Sequence, residues 1–282
     1  YNEAKHAKEV AKYLNTDHAE LYVSHQDALN VIPKLPKIYD EPFSDSSQIP
    51  TFLISQLARK HVTVSLSGDA GDELFGGYNR YLLTDQLWGK LSRLPVSMRR
   101  GLAGMMTTLS PEAFNKFLGF LPYNRVGEKI HKAASVMESA SIDELYLRLV
   151  SHWNNPESIV LNSSEPITQL TNANLNISRL STIQKMMLMD TLTYLPDDIL
   201  TKVDRAAMAV SLETRIPFLN HNVVEYAWRM PMNFKVRNGE GKWALRQILY
   251  KYIPKERIER PKMGFGVPID SWLRGPLREW AE

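Results

Sequence analysis

The chain has 282 residues, a formal net charge of +3, 44% hydrophobic residues and 23% charged residues. These values are typical of a soluble globular protein with one large domain or two ordinary ones, and so small a charge does not indicate a nucleic-acid partner. No apolar run approaches the ~20 residues that a membrane span needs. The absence of cysteine excludes disulfides, thiolate metal sites and a cysteine nucleophile within these residues, and we predict a cytoplasmic location.

The first 80 residues alternate predicted helices and strands. Apolar positions predict a helix over 2–14, a short strand over 21–23, a brief helix over 27–35, a helix over 45–60 and a strand over 62–66. This order is the rhythm of a parallel doubly wound sheet. Two strands cannot build such a sheet alone, so we expect an incomplete doubly wound sheet in residues 1–80, with its earlier strands upstream of Tyr1.

Residues 81–282 predict a mainly helical part without strands and without a linker between independent domains. Periodicity predicts helices near 79–87, 95–108, 125–140, 142–152, 179–194, 198–210, 221–229 and 241–252. Residues 154–178 are rich in Asn, Ser, Pro and Thr and indicate a loop. The predicted fold class is therefore helix-rich α/β. The basic cluster of Lys90, Arg93, Arg99 and Arg100 is interpreted as a solvated helix face.

An acidic turn follows the predicted strand over 62–66 directly and carries Asp69, Asp72 and Glu73 among glycines. α/β proteins place ligand sites where a buried strand ends in this way. Three acids so close in sequence repel one another, a cost that a divalent cation offsets, and their hard oxygens suit Mg²⁺. The pattern matches neither a calcium-binding loop nor a Walker phosphate loop. A glycine-rich turn with a solvated acidic tip is the alternative interpretation.

A charged stripe lies on the predicted helix over 198–210. Asp198, Lys202 and Arg205 fall at i, i+4 and i+7. This stripe suits an anionic substrate beside an acidic metal site, or it is a surface pairing in which each ion pair contributes only ~0.3 kcal/mol. Arg215 is interpreted as a buried structural arginine that pairs with Glu213 or another acid.

The predicted helix over 45–60 begins with Asp45, Ser46 and Ser47. The N-terminus of a helix presents free N–H groups and favours anions. This end suits a substrate carboxylate or a phosphate, and a helix capped by Ser46 or Ser47 is the alternative.

The amino-acid sequences of four blocks resemble the synthetase domain of the glutamine-hydrolysing asparagine synthetases. The blocks follow one another along nearly the whole chain, and only residues 88–180 match nothing. They are Asp40-Glu-Pro-Phe-Ser-Asp-Ser-Ser47, Ser67-Gly-Asp-Ala-Gly-Asp-Glu-Leu-Phe-Gly-Gly-Tyr78, the segment from Leu195 to Leu219 with Pro-Asp-Asp-Ile-Leu-Thr-Lys-Val-Asp-Arg and Glu-Thr-Arg-Ile-Pro-Phe-Leu, and Arg260-Pro-Lys-Met-Gly-Phe-Gly-Val-Pro268.

The resemblance implies an ATP- and Mg²⁺-dependent carbon–nitrogen ligase with an adenine nucleotide alpha hydrolase-like (ATP pyrophosphatase) fold. It implies that Asp72 is a Mg²⁺ ligand, that Asp69 positions or deprotonates the amine nucleophile, and that Lys262 stabilises charge on the phosphoryl and acyl transition states. Nucleotide, pyrophosphate or substrate binding is assigned to Ser67 and Gly68. The same role is assigned to the helix start at Asp45, Ser46 and Ser47 and to the charged stripe of Asp198, Lys202 and Arg205. The expected reaction converts aspartate to asparagine through a β-aspartyl-adenylate.

Two departures from the family pattern shape the expectation. Ala70 replaces a usual glycine, a change that a turn absorbs if φ at that residue is negative. The pyrophosphate loop Ser-Gly-Gly-x-Asp-Ser and the glutaminase domain are absent from the sequence. We therefore expect a partial synthetase domain that is inactive alone.

The partners follow from the same resemblance. We expect the glutaminase domain of the parent chain as a partner, a possible homodimer, and no nucleic acid or membrane. The acceptor is aspartate or another carboxylate such as a uronic-acid sugar, and a non-catalytic remnant is the remaining alternative.

Overall fold

The computed structural model describes residues 4–117, 126–151, 153, 156–169, 171, 177–259 and 268–282. The chain divides into two compact units. The first unit comprises Tyr1–Gly77 and Thr193–Glu282, and the second comprises Tyr78–Leu192. The last third of the chain therefore belongs with the first 77 residues rather than with the helices that precede it. The two-part division of residues 1–80 and 81–282 stays a prediction.

Helices dominate both units, and two short strands complete the described elements. The first unit begins with α1 (Ala4–Leu14), α2 (His25–Val31), α3 (Leu35–Tyr39), α4 (Gln48–Arg59), β1 (Val64–Leu66) and α5 (Gly71–Phe75). The second unit contains α6 (Asn79–Leu91), α7 (Val96–Met106), α8 (Pro111–Phe117), α9 (Val126–Met137), α10 (Ile142–Val150) and α11 (Thr182–Leu192). The first unit resumes with α12 (Thr201–Met208), β2 (Glu213–Arg215), α13 (His221–Arg229), α14 (Met232–Lys235), α15 (Trp243–Leu249), α16 (Lys255–Ile258), α17 (Ile269–Leu273) and α18 (Arg278–Ala281).

The described sheet consists of β1 and β2, which pair in parallel. Val64 lies opposite Glu213, and Leu66 lies opposite Arg215. The prediction of no strand after Tyr78 is therefore wrong. A three-residue segment with charged residues at both ends carries no strand signal, and pairing with β1 alone makes it a strand. A helix-rich α/β fold with a small parallel sheet is confirmed, and the doubly wound arrangement stays a prediction.

The strand predicted over 21–23 is also absent, because residues 16–24 form no strand or helix. Leu21 and Tyr22 are exposed there, so their apolar character does not reflect burial against a neighbouring strand. The next helix begins where the sequence provides a capping box. The Ser24 hydroxyl accepts a hydrogen bond from the Asp27 N–H, and the Asp27 carboxylate accepts one from the Ser24 N–H.

The core of the first unit forms where α4 packs on α12. Phe52 and Ile49 on α4 lie with Ala206 on α12 in one buried cluster. A second cluster joins the turn after β1 to α13, since Leu74 packs with Ala227. These two clusters hold α4, α5 and α12 in place, and these helices carry or flank most of the candidate site residues.

A buried carboxylate organises the second unit. Asp190 on α11 is almost completely buried and accepts hydrogen bonds from Tyr81 at 2.5 Å, Tyr146 at 2.7 Å and Arg80 at 2.5 Å. Burial raises the pKa of both tyrosines, so both hydroxyls stay protonated and donate. A buried charge with this many donors is compensated, and it links α6, α10 and α11.

Arg99 corrects the interpretation of the basic cluster, because its side chain is buried and not solvated. Its guanidinium donates to the carbonyl oxygens of Leu94, Met137 and Ser139, the last at 2.6 Å, and lies 5.5 Å from the Trp88 ring centroid. Backbone carbonyls therefore satisfy this arginine. Sequence pattern alone could not show this, because its donors reach α9 and the turn after it.

We expect Asp190→Asn to lower the free energy of unfolding by about 3 kcal/mol, because it removes the buried negative charge that accepts from Arg80 and forces a donor against a tyrosine hydroxyl. Urea denaturation followed by circular dichroism measures the change. Asp85→Asn is the matched control, since Asp85 is exposed on α6, the helix that carries Arg80 and Tyr81. Equal stability of the two variants would show that the network contributes nothing.

Candidate active site

Ser67 and Asp69 begin the acidic turn at the carboxyl end of β1. The Ser67 N–H donates to the Arg215 carbonyl at 2.9 Å, which extends the parallel ladder one residue beyond the strand. The Ser67 hydroxyl donates to the Asp69 carboxylate, and the Asp69 N–H donates to the Ser67 oxygen at 3.4 Å. A Cβ at Gly68 would meet nothing within 4 Å, so the backbone there stays open to a ligand.

Asp72 pairs with a lysine that sequence analysis did not select. The Lys242 ammonium lies 2.9 Å from Asp72 Oδ2. The two residues are distant in sequence, and Lys242 lies in none of the four family-like blocks. Nothing in the local pattern distinguishes it from an ordinary exposed lysine. Glu73, the third acid of the turn, is buried in α5.

Close backbone approach explains why glycines surround this ion pair. A Cβ at Gly77 would lie 2.2 Å from Asp72 Oδ1 and 2.3 Å from Lys242 Cε. A Cβ at Gly241 would lie 2.2 Å from the Gly76 carbonyl oxygen. The segment before α15 is therefore pressed against the end of α5, and the Lys242 N–H donates to the Phe75 carbonyl at 3.0 Å. These contacts fix Lys242 beside Asp72.

Ala70 adopts a left-handed conformation, with φ 64° and ψ −10°. The condition stated for this departure, a negative φ, is therefore not met. A non-glycine residue pays roughly 1–2 kcal/mol for such a conformation. The methyl group is buried in the cluster around Leu74, and this packing offsets part of that strain.

Asp45, Asp198 and Lys202 meet in a second charged group, between the start of α4 and the start of α12. The buried Lys202 ammonium lies 2.5 Å from Asp45 Oδ2 and 3.7 Å from Asp198 Oδ1. Asp198 lies in a π-helical turn, Leu195–Leu200, which runs directly into α12. Such turns are frequent at functional sites. Because the Lys202 side chain is buried, its i, i+4 pair with Asp198 is not an ordinary surface pair.

Ser47 occupies the N-cap position of α4 but does not cap it through its side chain. Its hydroxyl and its N–H instead donate to the Asp45 carboxylate, at 2.8 Å each. The predicted N-cap position at Ser47 is therefore confirmed, although this residue makes no side-chain capping bond. The Asp45 carboxylate, which lies beside Ser47 and is bonded to Lys202, accepts from that hydroxyl. Ser46 is half-buried beside it.

Arg205 extends this group along α12. Its guanidinium donates to the Tyr39 carbonyl at 2.6 Å and lies 3.7 Å from Glu41. The Tyr39 hydroxyl donates to the Lys202 carbonyl at 3.3 Å, and its ring stacks on Phe43 at 4.7 Å. The block from Asp40 to Ser47 is thus attached to α12 at several points.

The two carboxylates around Lys202 have opposite pKa shifts. Burial, and then the charge of Asp45, raise the pKa of Asp198 to about 6. Burial also acts to raise the pKa of Asp45, but the hydrogen bond from Lys202 and those from Ser47 outweigh it and hold the value below normal. The lysine therefore belongs mainly to Asp45, and Asp198 is the carboxylate that takes up a proton first.

Two remaining predicted residues have different outcomes. Lys262 lies outside the described residues, so its assignment stays a prediction. Arg215 is exposed rather than buried, although it does pair with Glu213 at 2.5 Å. The reason is that both ends of β2 point their side chains away from the core.

The fit of Mg²⁺ to these residues depends on Asp72. Among the described residues, no group of three or more histidine, aspartate or glutamate side chains is close enough to hold a metal. Mg²⁺ that binds with substrate phosphates needs only one or two carboxylates, so Asp72 fits as a single protein ligand.

A depression of about 470 Å³ lined by residues 59–64 opens at the amino end of β1, away from this turn.

A parallel strand that ends in an acidic turn and is backed by helices is the arrangement of a ligand-binding α/β protein. The family model described as asparagine synthase matches residues 1–282, and the chain belongs to that family.

Named relatives agree. The chain is 32% identical over 280 residues to asparagine synthetase [glutamine-hydrolyzing] 1 of Bacillus subtilis, which covers 99% of this chain and 42% of that protein. It is 32% identical over 272 residues to a putative asparagine synthetase of Mycobacterium bovis, covering 96% and 40%. A putative asparagine synthetase of Methanocaldococcus jannaschii is 49% identical over 82 residues, which is 29% of this chain and 16% of that protein. The chain spans about 40% of the length of the first two relatives.

None of the helices in the described ranges combines the length and apolar character that a membrane crossing requires.

We expect Asp198→Asn to raise the free energy of unfolding by about 1 kcal/mol at about pH 8 and to have no effect below about pH 4. A carboxyl whose pKa is raised on folding costs stability as pH rises from its unfolded value to its folded one, and asparagine avoids that cost. The figure is discounted because a third of the side chain is exposed. Denaturant titrations at both pH values measure it, with the exposed Asp204→Asn as control. A gain that is equal at both pH values would contradict the assignment.

We expect Ala70→Val to lower the free energy of unfolding by about 3 kcal/mol, because a β-branched residue fits neither the left-handed conformation nor the space around a buried methyl. Ala70→Gly relieves the backbone strain but loses ~0.8 kcal/mol of methyl burial, so its net effect stays within about 1 kcal/mol. Thermal unfolding of both variants measures the difference. Equal tolerance of valine and glycine would show that φ at this position is not positive.

Proposed function

We propose that the protein containing this chain is an ATP-dependent amide synthetase that converts aspartate to asparagine through a β-aspartyl-adenylate. Membership of the asparagine synthase family supports this proposal. The observation that carries it is the turn after β1, where Asp72 and Lys242 place an acid and a cation side by side at the carboxyl end of a parallel strand. This is a suitable place for a metal–triphosphate group.

The chemistry begins with a poor acyl donor. A carboxylate does not lose oxide, so the side-chain oxygen of aspartate attacks the α-phosphorus of ATP, and the bond to pyrophosphate breaks. Ammonia then attacks the acyl carbon, and the bond to AMP breaks with loss of a proton from nitrogen. Asp69 lies in the turn as the base or positioning group for that nitrogen, and the Ser67 hydroxyl orients its carboxylate.

Charge neutralisation is the main task of the remaining groups. Asp72 would hold Mg²⁺, and the bound ion would supply positive charge against the phosphates. Lys242 supplies a second positive charge at the same turn, and Lys262 is proposed for the phosphoryl and acyl transition states. The resting pair of Asp72 with Lys242 keeps both groups compensated until a phosphate and a cation replace them.

The group around Lys202 is proposed to bind the amino-acid or nucleotide substrate. It brings the cations Lys202 and Arg205 together beside the start of α4, and both cations favour an anionic ligand. The acids Asp45 and Asp198 suit an ammonium group in the same ligand. An α-amino acid carries both charges, which is why aspartate fits this group.

The source of ammonia belongs to the proposal as well. The two relatives named first are glutamine-hydrolysing asparagine synthetases by name, and this chain matches only about 40% of their length. We therefore propose that a glutaminase domain of the parent protein supplies ammonia. The homodimer and the cytoplasmic location stay predictions.

We expect Asp72→Asn and Lys262→Ala in the full-length protein to lower pyrophosphate release about 10²–10³-fold, the usual effect of removing one charge-stabilising group. Glutamine hydrolysis in the same samples is expected to persist, which shows that the protein is folded. Asp85→Asn is the control with unchanged release. Variants that form AMP at the parental rate would overturn the assignment.

The acceptor is tested with the same assay. Pyrophosphate release with Mg·ATP and ammonia is compared without acceptor, with aspartate and with a panel of sugar acids. Release that requires aspartate supports asparagine synthesis. Release that requires a sugar acid keeps the chemistry but changes the substrate, and no release with any acceptor supports a non-catalytic protein.

A further inference from the structure

Helix α7 exposes a row of apolar side chains that the proposed chemistry does not use. Met98, Leu102 and Met105 are 56%, 40% and 73% exposed, and their spacing of four and three residues places them on one face of the helix. Leu94 and Leu109, both exposed, lie shortly before and shortly after the helix. We call these five residues the α7 stripe.

The stripe is distinct from the face that packs inward. Arg99 and Ala103 are buried on α7, and α7 packs against α9. The stripe residues follow a different line along the helix, beside this buried face. Gly101 adjoins the stripe, and a Cβ there would meet nothing within 4 Å. The helix backbone therefore stays open to a close neighbour.

The segment of the chain that carries the stripe is positively charged. Residues 86–111 contain four basic residues and no aspartate or glutamate. Lys90, Arg93 and Arg100 are exposed. Arg99 lies on the buried face and donates to carbonyl oxygens there.

Glu144 is an acid close enough to Arg100 for that charge to help lower its pKa. Its main bonds, however, go to the Ala140 N–H and to Arg148. The segment 86–111, which carries the stripe, therefore keeps its net positive charge.

The spacing and the residue types indicate a helix as the occupant. A narrow apolar row with steps of three and four residues matches the ridge of another helix. Methionine is favoured on surfaces that accept helical partners, because its flexible side chain adapts to the partner. The stripe has no aromatic residue, whereas helices that lie on membranes commonly use Trp or Phe.

Charge decides what kind of helix fits. A second copy of α7 would bring its own arginines and lysine against those of the first, which is unfavourable. An acidic helix neutralises them. We propose that the α7 stripe is a docking surface for an acidic amphipathic helix of a protein partner.

Direct binding tests the proposal. The probe is a fluorescein-labelled helical peptide of about 18 residues, roughly five turns, with Leu at heptad positions and Glu elsewhere. A second peptide carries Lys in place of every Glu. Fluorescence anisotropy with the full-length protein measures both, and vesicles of phosphatidylserine and phosphatidylcholine provide a separate arm. We expect binding of the acidic peptide that weakens with added salt, and no binding of the basic peptide.

Variants locate the binding site. Met98→Gln with Met105→Gln is expected to weaken binding about tenfold or more, since two apolar contacts are lost. Arg93→Glu is expected to weaken binding and to reduce its salt dependence. Met208→Gln is the control, because Met208 is 57% exposed on another helix. Absence of acidic-peptide binding overturns the proposal, and so do equal binding of both peptides, indifference to the stripe variants, or binding to vesicles alone.

Discussion

The pairing of β1 with β2 is the constraint on which the candidate active site depends. The hydroxyls of Ser65 and Thr214 lie 3.2 Å apart across this pair, although the two residues are 149 positions apart in sequence. The ladder ends at the hydrogen bond between Ser67 and Arg215, and the acidic turn starts there. The chain that returns through β2 also brings Lys242 to Asp72. One long-range backbone contact therefore sets the position of the turn, and side-chain ion pairs refine it.

Two lysines show how this protein manages charge near a site for anions. Lys202 is buried between two carboxylates, whereas Lys242 is partly exposed next to one. In the buried group, burial and then the negative charge of Asp45 raise the pKa of Asp198. In the pair of Asp72 with Lys242 the charges balance one to one. A ligand that brings both a cation and phosphates separates Asp72 from Lys242 at little electrostatic cost. Asp72 then has the cation as its partner, and Lys242 has a phosphate.

The sequence predicted what local signals encode. Residues 221–229 were predicted as a helix and form α13 with those bounds, and α7 differs from its prediction by one or two residues at each end. Local periodicity carries that information. The turn after β1 was found because strand, glycines and acids are adjacent. β2, Lys242 and the burial of Arg99 were missed, since each depends on a partner distant in sequence. The sign of φ at Ala70 was left open, because the residue sequence of the turn does not determine it.

The exposed apolar residues of β1 have a consequence for handling the protein. Val64 and Leu66 are both exposed, although they belong to a strand of a parallel sheet, a type of sheet that ordinarily covers both faces. Uncovered apolar strand residues are adhesive surfaces on which chains add to one another. β1 is therefore one surface through which copies of this chain can associate, and a lysine in place of Leu66 would act there as a gatekeeper without entering either charged group.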